Sequence, residues 1–328
     1  MNDNHLKFLT LNVTESCDAA CCYCNWWRTN SNAELFDESF DVLTNIVTEA
    51  ASMSVRAIRI SGGEPLLRSD LPSLIAHIRK LGLISMVCTA AKCKLDTILS
   101  ILDAGLDVLS VSLDTIQPKL FHRIRGYEIK SVLENLDYLA ELRAKADYEI
   151  VLSVVLTRLS MEGLGEVLKY AQSRDLVINI TPFQNSSPER HTVAIKTLSF
   201  SIEDESSLRE ALHIAKEAAT SGVRIINSDE YLDGIADFLI HRRLPVGYSC
   251  HAGDSAAIRL VGGKLKLCHS LTEIKGAYLA TAWSSDDAEA IRKRMVRLDC
   301  PGCWLSCHAD TRRPVAHRYG RPEIWEAL

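Results

Sequence analysis

Apolar residues in the first two-thirds of the chain fall into short continuous runs separated by longer amphipathic stretches. The runs Phe8–Val13, Ala57–Ile60, Ile84–Thr89, Val108–Leu113, Ile150–Leu156 and Val177–Thr181 have strand length. Between them, Glu38–Ser52, Asp70–Leu81, Leu95–Ala104, Ile129–Ala144 and Met161–Ser173 carry the helical period. Ser69 stands where an N-cap would sit, and Gly82 and Gly105 stand where C-terminal caps would sit. The runs are continuous rather than alternating, as expected of strands buried on both faces. Strand–helix repetition of this kind predicts an α/β fold with a parallel sheet and right-handed crossovers. Six units suit a partial barrel or a doubly wound sheet.

After about residue 195 the rhythm breaks. Polar helices are expected near Ile202–Ser221, Asp229–Arg242 and Asp286–Leu298. The stretch "AIRLVGGKLKLC" reads as a β-hairpin turning at Gly262–Gly263. The change of pattern predicts a large βα unit over residues 1–225 and a small cysteine-rich α+β unit over 226–328.

Composition alters this picture in one respect. The chain has 328 residues, is 47% hydrophobic and 24% charged, and carries a net charge of −5. No basic block marks a nucleic-acid surface. No signal peptide and no membrane-length apolar run is present, so a cytoplasmic protein is expected. The departure is the 11 cysteines, an odd number that excludes full disulfide pairing. In such a setting dense cysteines point to metal ligation or catalysis. They form two clusters, Cys17, Cys21, Cys22 and Cys24, then Cys250, Cys268, Cys300, Cys303 and Cys307, with Cys88 and Cys93 between.

In the first cluster Cys17, Cys21 and Cys24 form a Cys-x3-Cys-x2-Cys triplet, and Cys22 lies too close to Cys21 to face the same ion. Structural zinc wants four ligands, usually in two close pairs. Three thiolates leave a metal position open, as a catalytic metal requires.

The triplet, with Tyr23 before its last cysteine, resembles the signature of radical S-adenosylmethionine (SAM) enzymes. The resemblance implies a partial (β/α)6 TIM-like barrel and a [4Fe–4S] cluster held by three thiolates, its fourth iron chelated by SAM. The turn "RISGGEP" after the second strand run resembles the family's Gly-Gly-Glu-Pro turn, which assigns Gly62, Gly63 and Glu64 to the SAM methionyl amine. A glycine pair here also lets a ligand approach the backbone closely. "VLSVSLDT" resembles the fourth strand, where Ser112 or Asp114 would face SAM ribose or substrate; Asp114 could instead cap a helix. Ser153 or Thr157 could meet SAM, and Gln184 and Asn185 fall near the barrel mouth. "TAA" (Thr89–Ala91) departs from the family's Thr-Asn-Gly turn. Cys88 and Cys93 read as a buried strand thiol and a helix-proximal thiol.

The second cluster resembles a shortened SPASM or Twitch unit, which implies one auxiliary [4Fe–4S] cluster. Four of Cys250, Cys268, Cys300, Cys303 and Cys307 would ligate it. The cysteine left over, Cys250 or Cys307, becomes a candidate hydrogen-atom donor. His251, His269 and His308 could tune these thiols or substitute as ligands.

The resemblance implies a 5′-deoxyadenosyl radical, an electron donor such as flavodoxin or ferredoxin, and hydrogen abstraction from a small polar, sugar- or aminocyclitol-like metabolite. Epimerisation or dehydrogenation would follow. Modification of a ribosomally made peptide is the alternative. A barrel beginning near residue 8 leaves no space for a leader-recognition segment, and the chain's end lacks the paired glycines of molybdopterin-type GTP cyclases. A non-enzymatic iron–sulfur protein would lack SAM cleavage.

Overall fold

The computed structural model describes residues 5–29, 37–143, 147–184, 195–246, 248, 250, 252–276, 278–300 and 302–305. The strands are β1 (Phe8–Thr14), β2 (Ala57–Gly62), β3 (Ile84–Thr89), β4 (Val108–Ser112), β5 (Glu149–Leu156) and β6 (Val177–Pro182). They continue with β7 (Arg224–Ile225), β8 (Ala256–Leu260), β9 (Lys264–Lys266) and β10 (Ile274–Lys275). All ten join one sheet in the order β10-β9-β8-β1-β2-β3-β4-β5-β6-β7.

From β1 to β7 the pairing is parallel and the order never reverses. A doubly wound sheet needs a reversal to place helices on both faces. Right-handed crossovers without one put every helix on the same face, which is barrel winding. β7 has only two residues, too few for a periodic pattern to reveal.

The C-terminal hairpin joins the other edge. β8 runs parallel to β1, pairing Phe8 with Ala256 and Leu11 with Arg259, and β9 and β10 add antiparallel strands. The turn between β8 and β9 has both Gly262 and Gly263 at positive φ, +78° and +84°.

The strands are not apolar on both faces. Leu9, Leu11, Ile58 and Ile60 pack outward with Leu43, Ile46 and Val47 of the helix Phe40–Ser52 in the main core. The alternate positions, among them Thr10, Asn12, Arg59 and Ser61, line an interior cavity. Below it, Met86, Val108, Val151, Val177 and Ile226 form a separate apolar floor.

Helix ends follow local chemistry. Ser39 caps Phe40–Ser52 by accepting from the Val42 N–H. Ser69 does not cap the next helix, Leu71–Lys80; Asp70 is the cap residue. Its carboxylate makes no capping bond because the Arg68 guanidinium takes both oxygens, at 2.9 and 2.6 Å. Among the described residues no helix is long and apolar enough to cross a membrane.

Candidate active site

The end of β1 and the turn after β2 are zipped together. Beyond a bulge between Asn12 and Thr14, Gly63 N–H donates to Thr14 O (2.8 Å) and Glu64 N–H to Ser16 O (2.7 Å). A Cβ on Gly63 would lie 2.0 Å from Ser16 O, and one on Gly62 would lie 2.3 Å from Thr14 O, with φ at +126°. The close approach these glycines permit is therefore of backbone to backbone. It places the Gly62–Glu64 turn beside the start of the cysteine loop, and both glycines also border the cavity.

Cys17, Cys21 and Cys24 all face that cavity, which measures about 380 Å³. Cys22 is not among its lining residues, as its position next to Cys21 implies. The loop is pinned by Cys22 N–H to Ile124 O (2.8 Å), Cys24 N–H to Cys21 O (3.2 Å) and Trp27 Nε1 to Cys21 O (3.0 Å). Burial pushes the Cys17 thiol up to about 12 and the Cys22 thiol up to about 11. Burial also raises Cys21, against the nearby Arg125 charge.

Arg125 is the residue that sequence reasoning missed. It is buried at the end of the helix Pro118–Arg125, and its Nη1 lies 3.8 Å from Cys21 Sγ. Asp114 holds it through Oδ2 to Nε (2.7 Å) and Oδ1 to Nη2 (3.0 Å). The Tyr23 hydroxyl and the Val155 N–H also donate to this carboxylate. Asp114 is thus fully buried and occupied. It neither faces the cavity nor caps a helix, since the following helix begins at Pro118 behind Gln117. The signal for Arg125 was one of two arginines in "FHRIRG", which no periodicity tells apart.

Glu64 borders the cavity but is 3% exposed. Oε1 accepts from Leu66 N–H (3.1 Å) and Thr89 Oγ1 (2.7 Å), and Oε2 from Ala90 N–H (2.7 Å). Burial raises its pKa, and these donors oppose the shift. The "TAA" loop therefore keeps a contact with the site, through Glu64. Ala91 sits at φ +53°, a left-handed conformation that suits glycine better.

Ser112, Ser153 and Cys88 line the cavity, and Ser153 Oγ also pairs with Ser110 Oγ at 3.0 Å. Thr157 does not reach it. Its hydroxyl and N–H close a turn with Ser160. Gln184 is buried, with Oε1 accepting from Trp304 N–H (2.9 Å), while Phe183 takes the lining position.

Toward the C-terminus, Cys250 and Cys268 are buried, and Cys300 and Cys303 half-buried. Burial raises Cys250, and charge on Cys268 and Cys300 raises it further. Cys250 is not among the residues lining the interior cavity, whereas His269 and Leu305 are. Trp304 anchors the segment. It stacks on Tyr231 at 5.7 Å and donates from Nε1 to Tyr231 O. Gly234 leaves room for it, since a Cβ there would meet Trp304 Cζ2 at 2.2 Å. Cys307, His251, His308 and Asn185 lie outside the described residues. Among the described residues no three His, Cys, Asp or Glu side chains converge on a single-ion site.

Residues 11–171 match the family described as the Radical SAM superfamily. A probable GTP 3′,8-cyclase of Methanococcus aeolicus is 29% identical over 188 residues, covering 56% of this chain and 61% of that protein. The GTP 3′,8-cyclase of Limosilactobacillus fermentum is 29% identical over 198 residues, covering 56% of each. The chain thus spans less than two thirds of these relatives' length. Among solved structures, Streptococcus suis SuiB bound to S-adenosylmethionine superposes with a TM-score of 0.70 at 17% identity, covering 97% of this chain and 76% of that one. SuiB has also been seen with its precursor peptide SuiA. The anSMEcpe structure with bound AdoMet gives 0.63 at 15% identity, covering 89% and 83%. At these identities the likeness is one of fold, an α/β architecture with a mostly parallel sheet.

Proposed function

Because this chain belongs to the radical SAM superfamily, whose members bind a [4Fe–4S] cluster and SAM, we propose that Cys17, Cys21 and Cys24 hold that cluster. The donor set fits. A four-iron cluster seats each thiolate on its own iron, so its ligands must share a cavity rather than a point. Buried thiols with raised pKa values stay protonated until a metal supplies the positive charge that ionises them.

When bound, the reduced cluster and SAM would supply the radical chemistry that takes a hydrogen atom from a C–H bond. The chain's own residues supply position and dryness. Glu64, anchored by three donors, keeps acceptor capacity on Oε2 for the SAM amine beside Gly62 and Gly63. Ser112 and Ser153 offer hydroxyls to the cofactor or substrate. Asp114 acts indirectly, by fixing Arg125 against Cys21. The auxiliary cluster is assigned to four of Cys250, Cys268, Cys300, Cys303 and Cys307, within a unit over residues 226–328 that follows a barrel over 1–225.

We read the substrate as a small polar metabolite that is epimerised or dehydrogenated. The observation that carries this is the polar interior: Asn12, Ser61, Ser112, Ser153, Asn179 and Thr181 line the same cavity as the cysteine triplet. Modification of a ribosomally made peptide is a second reading, favoured by the shared fold with SuiB.

The test is an anaerobic iron and sulfide count on reconstituted protein, wild type beside the Cys17/Cys21/Cys24→Ala variant, with SAM-cleavage assays on both. The reading expects the variant to keep one cluster and lose SAM cleavage. A variant without iron removes the auxiliary cluster, and a wild type that does not cleave SAM removes the enzyme. A panel of sugars, a precursor peptide and GTP then separates substrates, with deuterium uptake from D2O marking epimerisation.

A further inference from the structure

We propose that one side of the cavity floor, where Arg59 and Lys266 stand at the ends of a single cross-strand row, is a subsite for an oxyanion of the substrate, a phosphate or a carboxylate. This rests on the reading above that the cavity holds a small metabolite.

The row is set by register. Arg59 of β2 pairs with Thr10 of β1, Thr10 with Ile258 of β8, and Ile258 with Lys266 of β9. Paired residues point to the same face of a sheet, and all four line the cavity. Three strand spacings, about 14 Å of backbone, separate two long basic side chains that can close on one group between them.

Arg59 is prepared for such a group. Its Nε and Nη2 both donate to Thr10 Oγ1, at 3.1 and 2.9 Å, and its guanidinium lies 5.0 Å from the Phe8 ring centre. These contacts fix the plane of the fork while using only part of its N–H donors. A guanidinium held this way matches two oxygens of a phosphate or carboxylate, and a lysine adds a compact charge.

The surrounding charges point the same way. Arg125 is neutralised by Asp114. Glu64 is the one acidic side chain among the described lining residues, and Leu66, Thr89 and Ala90 already hold it. Among the described residues no carboxylate pairs with Arg59, whose hydrogen bonds go to Thr10. The rest of the floor, from β3 to β6, is the apolar cluster around Met86 and Val151. The two halves therefore give a bound molecule a direction. Its anionic end goes to the β9–β2 side, and the remainder rises toward the Cys17–Cys24 loop at the strands' C-terminal ends. The subsite would decide which carbon meets the radical, and it favours an acidic or phosphorylated sugar over a cationic aminosugar.

The test is titration calorimetry on the reconstituted full chain, with inorganic pyrophosphate in one arm and malonate in the other. At least one anion binds the wild type, and Arg59→Gln and Lys266→Gln each weaken it by about tenfold or more. Arg59→Lys recovers part of the loss. The stronger arm tells phosphate from carboxylate. If neither anion binds the wild type, or the Gln variants bind as well as it does, the subsite does not exist. Failure of the underlying enzyme reading shows separately, as a wild type unable to cleave SAM.

Discussion

Asp114 and Arg125 grip each other by two hydrogen-bonded contacts, both side chains buried, and Arg125 spends a third nitrogen on Cys21 Sγ at 3.8 Å. The end of β4, the helix Pro118–Arg125 and the cysteine loop thereby become one unit. Removing either partner leaves a buried charge without compensation. Asp114→Asn and Arg125→Gln should each cost about 3–5 kcal/mol. The paired apolar replacement, Asp114→Leu with Arg125→Met, should cost clearly less than the two single losses combined. Urea midpoints of Asp114→Leu, Arg125→Met and the two together close a double-mutant cycle, and simple additivity would show that the pair is not coupled.

The turn glycines make a contrasting pair of variants with Gly82. Gly63→Ala drives a methyl into Ser16 O, so the cysteine loop must move. A loss of about 1–3 kcal/mol is expected, together with reduced iron retention. Gly82→Ala meets nothing within 4 Å but sits at φ +72°. It should cost about 1–2 kcal/mol in backbone strain and leave iron content intact. Equal iron loss in both would remove the special role of the loop contact.

Trp304 gives a way to loosen one cysteine cluster without touching the other. Trp304→Ala empties the stack on Tyr231 and should destabilise the chain by about 3–5 kcal/mol. Iron bound by the C-terminal cysteines should fall while SAM cleavage without substrate persists. If SAM cleavage disappears alongside the iron, the two sites are not independently assembled.

Glu64 predicts a pH signature. Burial raises its pKa, so the folded chain holds this proton more tightly than the unfolded chain does. Its contribution to stability is fully present below the usual value of 4.5 and is lost as pH rises from there through the folded value. Glu64→Gln cannot titrate, and it turns an amide N–H toward the Ala90 N–H. That mismatch costs about 1–3 kcal/mol. The margin of wild type over variant should therefore be widest at acidic pH and narrow as pH rises. A margin that widens with pH would mean the carboxylate is stabilised as an anion.

Much of the fold was legible because strand runs and helical periods are local. The triplet behind β1, the Gly-Gly-Glu turn behind β2 and the hairpin at Gly262–Gly263 all lie where the pattern puts them. What failed lies just past strand ends, where alternation stops. Ser112 faces the cavity, yet Asp114 two residues on does not, because β4 has ended and the chain turns toward Arg125. Thr157 follows Val155 by the same spacing, but the turn to Ser160 draws it away. Gln184 differs: the alternation that turns Asn179 and Thr181 inward carries on to Phe183, so Gln184 faces away and meets Trp304. Partners such as Arg125 and Trp304 are distant in sequence, and no local period encodes them. The polar interior escaped notice for another reason: Thr10, Asn12 and Arg59 sit singly inside apolar runs, and a run hides its own alternation.

The pairing of β1 with β8 bears on how the chain is made. β1 is made well before one of its two neighbours, because β8 follows it in sequence by more than two hundred residues. Until that neighbour arrives, β1 has an open edge able to pair with other chains. Such long-range closure is slow to form. The cysteine loop hangs from the end of this strand, so its lasting shape waits for the last strands to dock. Delivery of iron and sulfide is then expected only after β8 has been made and has docked on β1.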